Sequence, residues 1–268
     1  MFDYAQVRAR FNRAHRTYDQ FAAVQQEVGR RLEERFEWLK IEPRRILDLG
    51  AGTGQMTKAL QKRYPAAQVV ALDLAEQMLA AIPKTGRIFK RRRVVCADMH
   101  QLPFKAGSFD VVISNFALQW SHDLRLVMQE VARVLAAGGV FVFTTLGPDT
   151  LMECRTAWAE LDESVHTHGF LDMHDVGDTL LASCFADPVI DQERLTLYYP
   201  APAELVKELR GVGVGNTHLD RAAGLTGREK WKGFLAGLES QRTEQGIPLT
   251  YEVVYGLAWG AGISPVKS

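Results

Sequence analysis

Cysteine is scarce. Cys96, Cys154 and Cys184 are too few, too widely spaced and odd in number to form a disulfide framework or a zinc-binding spacing, which points to a reducing compartment. Neither sign of charge is in excess. Thirty-two lysines and arginines meet thirty-two aspartates and glutamates, so the chain lacks the concentrated basic surface that nucleic-acid binding usually needs. No apolar leader follows a basic start, and no uncharged run approaches the roughly 18 to 20 apolar residues that span a bilayer. A soluble, cytoplasmic protein with neither nucleic acid nor membrane as partner is expected. Internal repeats and low-complexity tracts are missing as well. Hydrophobic residues are abundant: at 47% of 268 positions they suffice for the core of one α/β domain with additions.

The order of elements is legible from periodicity. Between Tyr4 and Lys40 the apolar residues Phe11, Tyr18, Phe21, Val28, Leu32, Phe36 and Leu39 recur mostly every three or four positions, which predicts two helices before the core. Pro43 ends that pattern. Strands are then expected at 46–49, 69–72, 93–96, 109–114 and 139–145, separated by helices near 55–63, 75–82 and 123–136. Such alternation implies right-handed crossovers and a mostly parallel sheet covered on both faces. After Gly147 come a polar helical stretch at 149–163, a His-rich loop, and a helix at 175–185. Pro188–Tyr199 and Leu249–Trp259 look like strands of an antiparallel edge, with Pro202–Val212 and a helix near 228–243 between them. The division expected is an N-terminal helical cap, 1–43, and a domain over 44–268 with helical insertions near 147–187 and 200–247.

The strongest chemical signal is ILDLGAGTG, 46–54, followed by ALDLAEQML, 71–79. Gly50, Gly52 and Gly54 follow a strand and open a helix, where glycine lets the backbone bend tightly and approach a nucleotide-type ligand. Gln55 stands where a dinucleotide fingerprint needs its third glycine. Asp48 would repel a pyrophosphate but attract the α-ammonium of a methionine moiety. Asp73, with Leu74 beside it, ends the second strand and suits ribose hydroxyls. Asp98 and Met99 follow the third and suit an adenine edge and face. Three acids at successive strand ends surround a cationic sulfonium cofactor sensibly. Each acid alone has a structural alternative, capping the turn or helix that follows. Met78 serves either the core or the cofactor.

These residues resemble class I S-adenosylmethionine-dependent methyltransferases over about 44–146. The resemblance implies a Rossmann-like, seven-stranded, mostly parallel sheet with an antiparallel edge. It places Ser114–Trp120 at the methyl-transfer site, with Asn115 and Leu118 touching the cofactor and Trp120 bordering the substrate. A buried structural role for Trp120 fits equally well.

Phe143–Arg155, FTTLGPDTLMECR, together with Phe11–Tyr18, Phe170–Asp178 and Leu209–Asn216, resembles the malonyl-acyl-carrier-protein O-methyltransferase (BioC) family of biotin synthesis across nearly the whole chain. Cys154, usually aliphatic in that family, and Val214-Gly215 depart from its pattern. The resemblance implies methyl transfer from S-adenosylmethionine to the free carboxylate of malonyl-acyl-carrier protein, with S-adenosylhomocysteine as product. A carboxylate is ionised at neutral pH, so no catalytic general base is expected. Recognition then asks for an arginine fork, for which Arg155 is the candidate, and a phenolic donor, for which Tyr18 is. Arg155 paired to Glu153 or Asp162 on a helix surface, and Tyr18 as a core residue, are the structural alternatives. His15, His166, His168 and His174 lack metal-ligand spacing and are expected to pack or to belong to a lid; no metal is expected. An acidic carrier bearing a phosphopantetheine thioester would suit Arg91–Arg93 or Arg8–Arg16. A monomer is expected. The rivals are methylation of another small acceptor, an arginine-modifying relative of the respiratory complex I assembly type, and a non-catalytic cofactor-binding module.

Overall fold

A computed structural model describes residues 4–83, 93–164, 166, 169–213 and 227–260, and among these described residues the apolar strand runs and amphipathic segments form seven strands and ten α-helices. Five strands arrive with the expected spacing: β1 (Arg45–Leu49), β2 (Gln68–Asp73), β3 (Val94–Cys96), β4 (Phe109–Asn115) and β5 (Leu135–Leu146). They pair in parallel. Two long late strands complete the sheet, β6 (Phe185–Tyr199) and β7 (Ile247–Gly260), in the order β3-β2-β1-β4-β5-β7-β6. β7 is antiparallel to both neighbours. The antiparallel pairing therefore arises because the last strand inserts between β5 and β6.

Alternate side chains of the strands serve two cores, as the period of two requires. Ile46, Val69, Val111, Ile113, Val140 and Val142 face one side; Leu47, Val70, Val112, Phe141 and Phe143 face the other. The first face is covered by α3 (Ala23–Arg35), α4 (Gln55–Arg63), α7 (Met152–Ala159), α9 (Pro202–Gly211) and α10 (Arg228–Glu239). The second is covered by α6 (Leu124–Val134) and α8 (Met173–Ala182). Asp123 caps α6 and Asp172 caps α8, each accepting from backbone N–H groups of the first turn. Near β2 and β3, α5 (Glu76–Ala81) contributes Leu79. No helix among the described residues is long and apolar enough to cross a membrane.

The N-terminal region corrects the expectation of two helices. It has three: α1 (Tyr4–Ala14), a single turn α2 (Tyr18–Phe21), and α3. The breaks have visible causes. His15 Nδ1 and the Thr17 hydroxyl engage backbone carbonyls of Asn12 and Ala14, and Thr17 also donates to Gly211 at the end of α9. α2 is thereby turned onto α9 instead of continuing α1. The polar stretch at 149–163 yields a shorter helix, α7, because residues 147–151 form a loop tied to β7.

Candidate active site

The carboxyl ends of β1, β2 and β4 open into a cleft where the glycine turn does three different things. All three glycines have positive φ: Gly50 +78°, Gly52 +54° and Gly54 +84°. A Cβ on Gly50 would sit 2.2 Å from the Ala117 Cβ, and one on Gly54 2.8 Å from Ile82 Cγ1. Those two allow the loop after β4 and the end of α5 to approach. A Cβ on Gly52 would meet nothing within 4 Å, so this glycine opens onto space that a ligand can take. Asp73 locks the turn, accepting from Gly52 N–H at 2.9 Å and Ala75 N–H at 2.7 Å. Burial raises the Asp73 pKa against these lowering bonds.

The cleft is lined by Gly50, Gly52, Asp73, Leu74, Met78, Met99, Asn115 and Trp120 among the expected residues, and by Arg8, Phe11 and Tyr18 from the N-terminal helices. Asn115 is fixed by a donor bond to Gln25 on α3 and an accepted bond from Thr144 on β5. Met78 both lines the cleft and packs with Ala14 and Ala75. Three expected residues, Asp48, Gly54 and Leu118, stand behind the wall. Asp48 is 1% exposed and bound by the Thr57 hydroxyl; burial pushes its pKa up to about 7 against that bond. Gly54 and Leu118 are packed beneath the turn and the loop. Asp98 binds His100 through both its backbone N–H and ring Nδ1.

A histidine pair was missed by the sequence reading. His100 Nε2 meets Ser121 Oγ at 2.8 Å, its Nδ1 lies 3.2 Å from Tyr4 Oη, and His122 stacks on its ring at 3.9 Å. Burial lowers the His100 pKa. Its signal is the D-M-H string after β3, which the expected contacts of Asp98 and Met99 left unused. Gln55 also gains a role: with Thr53 it donates to Asp19 and so holds α2 over the glycine turn.

A second cavity, about 140 Å³, adjoins the first and shares Phe11, Tyr18, Phe116 and Trp120 with it. Its wall is aromatic: Trp158, Phe170, Phe234 and Tyr251 line it, with Thr150, Leu151 and Cys154. Burial pushes the Cys154 thiol up to about 12, which leaves it an inert wall residue. Trp120 meets Phe11 edge to face at 5.3 Å. Tyr18 lies between the cavities, and burial together with the charges of Asp73 and Asp19 raises its phenol well above the usual range, keeping it a donor.

Arg155 is not brought to this wall. Its guanidinium donates to the carbonyls of Thr150 and Pro148, because the loop after β5 turns those oxygens toward it. The motif around it is a buried polar scaffold. Gly147, Asp149, Thr150 and Leu151 bond the backbone or carboxylate of β7, and Glu153 accepts from Thr250 N–H at 3.0 Å and from its hydroxyl.

His166 does line the second cavity. It lies flat on Trp158 at 3.8 Å, with Nε2 2.7 Å from Asp162, whose pKa is held low by Lys230 and His166. His15 bonds Asn12, and His174 bonds the capping Asp172. His168, Val214-Gly215 and Arg91-Arg92 of the basic run lie outside the described residues. Among the described residues, no group of three or more His, Cys, Asp or Glu is placed to hold a metal ion.

Comparison with known proteins adds the family-level context. Residues 47–143 match the methyltransferase domain family. The chain is 44% identical over 264 residues to the malonyl-[acyl-carrier protein] O-methyltransferase of Halorhodospira halophila, covering 98% of this chain and 90% of that one. It is 46% identical over 243 residues to the enzyme of the same name from Legionella pneumophila, covering 90% and 86%. Among solved structures, the YcgJ protein of Bacillus subtilis shares the fold with a TM-score of 0.61 at 19% identity, covering 85% of this chain and 97% of that one. Phosphoethanolamine N-methyltransferase 2 of Haemonchus contortus, in complex with S-adenosyl-L-methionine, shares it with a TM-score of 0.55 at 16% identity, covering 92% and 57%.

Proposed function

The chain belongs to the family of malonyl-[acyl-carrier protein] O-methyltransferases, and on that premise we propose that it methylates the free carboxylate of a malonyl thioester on an acyl carrier protein, giving the ester that primes pimeloyl synthesis for biotin. The observation that carries this reading is the junction of two cavities at Tyr18 and Trp120, one lined by the glycine turn and Asp73 and one by aromatic side chains.

The cleft fits S-adenosylmethionine. Gly52 leaves space for close approach, Asp73 presents a carboxylate at the end of β2, and Leu74, Met78 and Met99 supply apolar walls. The buried Asp48 favours a positive charge near the turn, because a cation would offset the cost of its ionisation. Asn115, clamped from α3 and β5, offers a rigid amide. Asp98, oriented by His100, is assigned to the adenine end. Gly54 and Leu118 act at one remove, by shaping the turn and the loop. When bound, the cofactor supplies a methyl group on a positively charged sulfur.

The protein's own work is alignment and exclusion of water. The substrate oxygen already carries its negative charge, so no proton need be removed before attack. Opposite charges neutralise as the new bond forms, and an aromatic, poorly hydrated wall favours that change. The protonated Tyr18 phenol, which lines both cavities, is assigned as a donor to the carboxylate. Arg155 is assigned as its cation: it follows cavity-lining Leu151 and Cys154, and a carboxylate is a stronger acceptor for a guanidinium than the carbonyls of Pro148 and Thr150. Trp120 borders the reacting groups. Residues 1–43 act as the cap whose Phe11 and Tyr18 close both cavities.

One observation favours a second reading. The His166–Asp162 pair at the wall is what a carbon or hydroxyl acceptor would need as a base. Incubation with S-adenosylmethionine and malonyl-carrier protein, followed by mass spectrometry, tests the main reading. One added methyl on the carrier is expected. Transfer to a neutral acceptor but not to the malonyl carrier would replace it with the second reading.

A further inference from the structure

On the outer side of the aromatic cavity the fold presents a wide mouth whose chemistry differs from everything inside it. It is about 440 Å³ and is walled by α1, α9 and α10. Three of its lining residues are arginines, Arg10, Arg13 and Arg210, and none of the described lining residues is acidic. Arg13 and Arg210 are exposed. The Arg210 guanidinium lies over the Trp231 ring at 5.2 Å, which restricts its orientation without neutralising its charge.

The mouth adjoins the inner cavity, with Trp158, Leu209 and Phe234 lining both. The inner cavity in turn meets the cofactor cleft at Phe11, Tyr18, Phe116 and Trp120. Three arginines, an aromatic wall and the glycine turn therefore line three adjoining cavities in that order. The chemistry changes in the same sequence: arginines outside, an apolar wall along the middle, and the Asp73 carboxylate at the glycine turn. An elongated thioester arm with a phosphodiester at its outer end matches that order. The negative group meets the guanidiniums, whose forked donors suit phosphate oxygens, and the uncharged arm crosses the aromatic section.

Resting on the proposed function, we propose that Arg10, Arg13 and Arg210 form the docking site for the phosphodiester of the carrier protein's prosthetic arm, and that the arm enters between α1, α9 and α10. The arginines bind the arm and contribute nothing to methyl transfer itself. They belong to two elements distant in sequence, α1 and α9, which α2 brings together by packing on α9 through Phe21; a Cβ on Gly211 would sit 2.2 Å from the Phe21 ring.

The test compares the wild type with an Arg13→Ala/Arg210→Ala double variant, both changes being at exposed positions. Binding of holo-carrier protein and of apo-carrier protein, which lacks the arm, is measured by calorimetry. Methyl transfer is measured with malonyl-carrier protein and with the phosphate-free malonyl-N-acetylcysteamine thioester. Expected are an affinity for holo-carrier about tenfold weaker in the variant, a matching rise in KM for the carrier substrate, and a smaller difference at high salt. Apo-carrier binding and turnover of the phosphate-free thioester should not change. Equal loss for holo- and apo-carrier would assign these arginines to the carrier's surface and overturn the phosphodiester site. Unchanged holo-carrier binding would overturn it as well. If the wild type methylates neither thioester, the proposed function fails, while the holo-against-apo comparison still decides this inference.

Discussion

Gly50 and Gly52 lie two residues apart in the same turn, yet alanine at each should fail in a different way. At Gly50, alanine must adopt φ near +78° and place its methyl 2.2 Å from the Ala117 Cβ. The left-handed backbone costs roughly 1–2 kcal/mol and overpacking a further 1–3 kcal/mol or so. A loss of about 2–5 kcal/mol corresponds to a melting temperature lower by about 5–15 °C for a chain of this size. At Gly52 only the backbone term applies, because no atom lies within 4 Å of the added methyl. That methyl instead enters the cleft. Gly52→Ala should therefore melt within about 5 °C of the wild type, while S-adenosylhomocysteine binding weakens by about tenfold or more, equivalent to about 1.4 kcal/mol or more. Differential scanning calorimetry with and without ligand measures both quantities on each variant. A Gly52→Ala protein that binds the ligand as the wild type does would refute the assignment of that open space to the cofactor. A Gly52→Ala protein that melts below Gly50→Ala would refute the packing difference between the two positions.

Four other outcomes follow from the same geometry. The folded Asp48 carboxyl has its pKa raised from 3.8 to about 7, so its contribution to stability is fully present below pH 3.8 and is lost as pH rises through 7. That loss is on the order of 4 kcal/mol, and Asp48→Asn should flatten the fall in ligand-free melting temperature between pH 5 and 8; identical profiles would contradict the buried-acid picture. Glu153→Ala strands the Thr250 N–H and hydroxyl in the interior and should cost about 3 kcal/mol or more in urea unfolding, with Glu153→Gln recovering part of it. His166→Gln should leave kcat with the malonyl carrier within about twofold, whereas loss of a true general base costs about 10²-fold or more. Arg155→Ala should lower kcat/KM for that substrate by about 10- to 100-fold, and Arg155→Lys should restore it only partly, since a lysine lacks the planar fork; full activity in the alanine variant removes the carboxylate assignment.

The parts of the site that were legible in the sequence are those made by short-range structure. A strand, three glycines and a helix in one run leave few backbone solutions, so the turn and the Asp73 that closes it appear together where expected. Strand and helix positions from 45 through 146 follow for the same reason, since buried parallel strands and amphipathic helices carry their own periodicities. The string at 143–155 was legible as a pattern but not as a structure. Its glycine, threonine and glutamate serve polar groups of β7, about a hundred residues away, and nothing local to 143–155 says so.

The amino-acid sequence thus determined the element order, the ligand-ready glycine turn and the acids at the strand ends, because each depends on neighbours a few residues away. Only the tertiary structure decided that the last strand inserts between β5 and β6, that α1 and α2 bend to put Tyr18 between two cavities, and that His166 reaches the wall while Arg155 turns to Pro148 and Thr150. It also decided that Asp48 is buried behind that wall while Asp98 is held by His100. Those outcomes depend on which distant groups compete for the same space and the same hydrogen bonds, and that competition exists only once the chain has folded.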